Sequence, residues 1–101
     1  MHASKRIVPF LLCMLLLNGC GYGKISPKAY EHAKALYSIC NRKDKQRLTR
    51  YATLLREART QGEISPKEAD WLDDIVQEAQ AGEWEDAAAK ARRMMTDQVE
   101  E

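Results

Sequence analysis

A chain of 101 residues has room for one small domain, and a net charge of +1 points to no single class of partner. The near-balance hides a division. Residues 21–60 hold ten Lys/Arg against three acids, net +7, whereas residues 61–101 hold four against twelve, net −8. Such asymmetry speaks of partners or of pairing within the chain, not of fold.

The first element in chain order is a leader. Lys5 and Arg6 precede an apolar run over residues 7–17, and Gly19 stands just before Cys20. As a helix the eleven-residue run spans roughly 16 Å at about 1.5 Å per residue. That is about half of a roughly 30 Å hydrocarbon core, too short for a permanent span. Leu17-Asn18-Gly19-Cys20 resembles the bacterial lipobox, with Leu at −3, a small residue at −1 and Cys at +1; Asn18 departs from the usual residue at −2. The resemblance covers residues 1–20 only. It implies residues 1–19 as a lipoprotein signal peptide, a diacylglycerol thioether on Cys20, cleavage before it and acylation of the new amine. Several acyl chains anchor stably, at about 0.8 kcal/mol per buried CH₂. Gly21, in place of the Asp that marks inner-membrane retention in that family, implies the outer membrane, facing the periplasm.

Residues 20–24 then read as the lipidated cysteine and a short tether, and residues 25–101 as one helical domain. Two helix starts share a phrase, Ile25-Ser26-Pro27-Lys28 and Ile64-Ser65-Pro66-Lys67. Ser accepts from an orphan amide at the helix start, and Pro in the first turn gives up an N–H that had no partner. Glu68 completes a capping box with Ser65. Apolar residues follow helical spacing at Tyr30, Ala33, Leu36, Tyr37 and Cys40, then at Leu48, Tyr51, Leu55 and Ala58. A third stripe runs through Leu72, Ile75, Val76 and Ala79, and a fourth through Trp84, Ala87, Ala88, Ala91, Met94 and Met95. Asp44 interrupts the first two stripes where one continuous helix would want an apolar residue, so a break falls between residues 41 and 45. No stretch reads as a strand. The fold expected is all-α, an up-and-down bundle of about four helices made of one basic and one acidic hairpin.

With Cys13 in the leader and Cys20 lipidated, Cys40 is the one thiol left, on an apolar stripe where it packs as a small hydrophobe. His32 has no clustered Cys or carboxylate set around it in sequence and reads as a solvated surface residue. Asp70, Asp73 and Asp74 share a helix face without EF-hand spacing, and Glu83, Glu85 and Asp86 oppose a helix dipole. Trp71, Trp84 and Met94-Met95 read as core. No catalytic, metal or cofactor-binding set emerges, and none is expected. The remaining feature is the basic set Arg42, Lys43, Lys45, Arg47 and Arg50. Export excludes nucleic acid as its partner and leaves an anionic protein, lipid or envelope polymer.

The expectation is a membrane-anchored, non-enzymatic helical module that binds a protein of the envelope, with the basic hairpin near the membrane and the acidic one facing away. In build this resembles the pilotins of secretion systems, which implies an accessory or escort role. The alternative is binding of anionic lipid or envelope polymer through the basic hairpin.

Overall fold

A computed structural model describes residues 23–99, with side chains described up to residue 96. The leader and Cys20 lie outside the described residues. Four helices follow one another: α1 Pro27–Arg42, α2 Lys45–Thr60, α3 Pro66–Gln80 and α4 Trp84–Val99. No strand occurs among the described residues.

The helix starts form as the local sequence dictates. The Ser26 hydroxyl accepts from the Ala29 amide at 3.1 Å, and the Ser65 hydroxyl accepts from the Glu68 amide at 3.1 Å. The break near residue 44 is present, and Asp44 makes it: its carboxylate caps α2 by accepting from the Arg47 amide at 3.1 Å.

The first three helices end alike. After α1, the Lys43 amide donates to Cys40 and the Asp44 amide to Ile39. After α2, Gly62 donates to Arg59 and Glu63 to Ala58; after α3, Gly82 donates to Ala79 and Glu83 to Glu78. Each pair closes the orphan carbonyls in a Schellman arrangement, which puts one residue in the left-handed region. At two ends that residue is glycine, with φ of 74° at Gly62 and 87° at Gly82; at the first it is Lys43, with φ of 52°.

Short turns make successive helices antiparallel, so α1 and α3 start at the same end. The strongest pairing joins the first and last helices rather than the members of either hairpin. Buried alanines allow it: Ala29 and Ala33 on α1 and Ala87 and Ala91 on α4 are wholly inaccessible and keep the backbones close. Helices α1 and α3 also touch across the bundle, while α2 and α4 do not touch among the described residues. The cross-section is therefore a flattened diamond whose short diagonal is α1–α3. Leu36, Leu48, Leu72, Ile75, Met94 and Cys40 fill the centre. Trp71, Trp84 and Met95 are only half-buried, packing at the core's margin instead of inside it as the sequence suggested.

Helix α2 is the least embedded. Only Leu48, Leu55 and Ala58 are buried on it, and Leu54 is the large apolar side chain left exposed among the described residues. No described helix is long and apolar enough to cross a membrane.

Candidate interaction surface at the distal turns

The end where α1 and α3 begin, hereafter the tether end, is the one at which the expected tether joins, and Ile25 there is already packed on the core. The Glu68 carboxylate joins the two helix starts. It accepts from the Ser26 amide at 2.8 Å and hydroxyl at 3.1 Å, and from the Ser65 amide at 3.0 Å. Burial would raise its pKa, but the hydrogen bonds from Ser26 and Ser65 outweigh that and hold it below the usual carboxylate value. One anion thus serves two helix N-termini, where positive dipole ends converge. The repeated Ile-Ser-Pro-Lys phrase is a single joint in three dimensions.

The basic set occupies the other end. Helix α1 has 16 residues, which as a helix run about 24 Å at 1.5 Å per residue. Arg42 and Lys43 stand at its far end, and Lys45, Arg47 and Arg50 follow in the first turns of α2. All five are exposed, and none makes an ion pair among the described residues. The sequence placed these five cations beside the tether with the rest of the hairpin; the geometry carries them a helix length away, while Lys28, Arg56 and Arg59 stay at the near end.

Two choices at this turn run against stability. Lys43 adopts a left-handed conformation that costs an L-residue about 1–2 kcal/mol, where its counterparts after α2 and α3 are glycines. Lys45 and Arg47 put cations at the positive end of the α2 dipole, and that first turn holds no acid. Conflicts between a local rule and the fold gather at functional positions.

Beside the basic turn lies the α3–α4 turn. Lys43, Gly82, Glu83, Trp84, Glu85 and Asp86 line an open depression of about 220 Å³. The half-buried Trp84 supplies its apolar part, and the acids cap α4 favourably. Cations and acids therefore flank one another at the distal face without pairing.

Of the expected lateral pairing of basic with acidic hairpin, the described residues show the bridge from Arg59 to Asp70 at 3.0 Å, on exposed side chains. The diamond explains this, since α2 meets the acidic half along α3 only. Lys90 pairs within the acidic half, at 2.8 Å from both Asp74 and Glu78. Hydrogen bonds to those two carboxylates hold its pKa above the usual lysine value. Asp73 accepts from Gln77, so each member of the aspartate group has its own neighbour. No three His, Cys, Asp or Glu gather to hold a metal among the described residues.

Cys40 is 1% exposed, and burial pushes its thiol up to about 11, so it stays protonated and packs as a hydrophobe. His32 departs from expectation. It is buried, 6% exposed, with Nδ1 2.6 Å from the Tyr51 hydroxyl across the α1–α2 seam. A 3–4–3 spacing through Ala29, His32, Leu36 and Ile39 carried the signal, because those four share the buried face of α1.

No protein-family model, curated protein or solved structure matches this chain significantly.

Proposed function

We propose that this chain is a lipid-anchored envelope protein, held through Cys20 in the outer membrane facing the periplasm, whose bundle binds an anionic protein surface with its distal basic turn and performs no catalysis. The observation that carries the reading is the basic turn itself. Five exposed cations stand without ion pairs among the described residues at the end remote from the expected tether, and Lys43 stands there in a conformation its counterparts leave to glycine. Arg42, Arg47 and Arg50 add planar forks suited to carboxylates. In an upright bundle, headgroups of the anchoring membrane lie at the opposite end, which favours a protein over lipid as the partner. An accessory or escort role fits a module of this size.

Crosslinking in native membranes tests the reading. A specific adduct is expected with the unsubstituted chain and is lost with Arg47→Glu plus Arg50→Glu, at unchanged abundance. An adduct that survives the double substitution removes the basic turn from the interface. Binding to anionic vesicles that the double substitution abolishes, with no protein adduct, hands the turn to lipid. Radioactive fatty acid labelling that persists in Cys20→Ala removes the anchor.

A further inference from the structure

His32 is one of two residues with a buried, unpartnered side-chain atom among the described residues, the other being Glu78. Its Nδ1 meets the Tyr51 hydroxyl at 2.6 Å, with the rings edge to face at 5.7 Å. Its Nε2 is buried and has no hydrogen-bond partner among the described residues. A neutral imidazole has one N–H and one bare nitrogen. Whichever nitrogen carries the proton, the ring can satisfy Tyr51 and leave Nε2 as a lone orphan. The doubly protonated ring cannot: it places an Nε2–H and a full charge where nothing accepts them.

The charges around the ring do not cure this. Lys28, one turn earlier on α1, opposes a cation, while Glu31 on α1 and Glu63 in the α2–α3 turn favour it. Burial is the largest influence, and the balance holds the ring below its ordinary 6.5. Tyr51, pushed up by burial and by Glu31, stays a neutral hydroxyl throughout.

The seam that His32 occupies is also one of the two thinnest in the bundle, level with the α1–α3 contact. Helix α2 has few buried residues, no contact with α4 among the described residues, and an exposed ion pair as its bridge to α3. The α1–α4 and α3–α4 seams do not involve it.

We propose that the His32–Tyr51 contact is a proton-operated latch: acidification puts a second proton on His32 inside the α1–α2 seam, and α2 leaves the bundle while α1, α3 and α4 stay packed. The inference does not depend on the lipid anchor or on the partner. Proton uptake is the whole chemistry of the step, and solvent supplies the proton.

Hydrogen exchange of the full chain in detergent, corrected for intrinsic rates, tests it. Between about pH 7.5 and about pH 5, amides of residues 48–58 lose roughly tenfold or more of their protection, while those of residues 87–94 keep theirs. In His32→Gln, which can still bond Tyr51 but cannot take the charge, the selective loss disappears. Equal loss in all four helices of the unsubstituted chain, or an α2 loss that persists in His32→Gln, overturns the latch. Should His32→Gln fail to fold, NMR titration of the unsubstituted chain decides. The His32 ring then takes up its proton below 6.5, and α2 opens with the same midpoint. Titration at or above that value, or two separate midpoints, overturns the proposal.

Discussion

At the tether end, an amide and a hydroxyl of Ser26 and an amide of Ser65 converge on the Glu68 carboxylate. At the distal end, five cations and four acids (Asp44, Glu83, Glu85 and Asp86) on neighbouring turns share no ion pair among the described residues. The first arrangement does what buried polar groups do in a stable fold: every strong donor finds an acceptor, and the charge lies where two dipoles favour it. The second leaves charges solvated, strains one backbone position and places cations against a helix dipole. Stability accounts for the tether end and does not account for the distal one. The same chain thus satisfies its polar groups at one end and leaves its charges to solvent at the other, which is the contrast the proposed binding role rests on.

The largest break in this comparison comes at Glu68. Glu68→Ala keeps both serine caps but removes the acceptor shared by the Ser26 amide and hydroxyl and the Ser65 amide, leaving those amides orphaned. The expected loss is about 2–4 kcal/mol in urea unfolding; a loss below about 0.5 kcal/mol would detach the joint from stability. The pH dependence follows with a definite sign. Because the folded state holds the Glu68 pKa below its ordinary value, its contribution is fully present above the unfolded pKa of 4.5 and is lost as pH falls through the folded one. Glu68→Gln flattens that acid limb. That window opens at 4.5, whereas the one set by His32 opens at 6.5: its lowered pKa makes stability fall as pH drops below 6.5 and level off beneath the folded value.

The caps were legible from sequence because each acts within four residues. Ser26, Ser65 with Glu68, and the break at Asp44 all sit where the sequence put them, and so does Cys40 in the core. The bond from Ser26 to Glu68 was not legible, since it spans 42 positions and depends on which helices lie side by side. The same holds for the separation of α2 from α4, which leaves the basic face without its acidic counterpart. His32 was misread for a different reason. Its stripe was there, but a histidine on an apolar stripe is polar by composition, and only the packed seam with Tyr51 shows that it is buried.

A smaller effect separates cations that the fold uses from those it leaves free. Lys90 lies between Asp74 and Glu78, about a third exposed, and the second carboxylate oxygen of Glu78 is buried without a partner. Lys90→Met leaves two acids facing each other on α3, and the expected loss is about 1 kcal/mol in thermal or urea unfolding. The paired Arg47→Glu and Arg50→Glu substitutions, in contrast, change stability by no more than about 0.5 kcal/mol. If the distal pair proves as destabilising as Lys90→Met, the contrast between structural and presented charge fails.

The last effect has the opposite sign. Gly62 and Gly82 show what this chain uses where a helix ends in the left-handed region, and a Cβ at either would meet no neighbour within 4 Å. Backbone conformation, not crowding, is therefore what selects glycine there. Lys43 sits at φ 52° in the same arrangement, so Lys43→Gly relieves strain and raises stability by about 0.5–1 kcal/mol, after the entropy that glycine restores to the unfolded chain. A gain in unfolding free energy joined to weaker crosslinking to the partner identifies Lys43 as a residue kept for binding at the expense of stability. A gain with unchanged crosslinking leaves Arg47 and Arg50 to carry the contact. No gain at all means that the turn holds lysine without strain, and the distal end loses one of the three features that set it apart from the tether end.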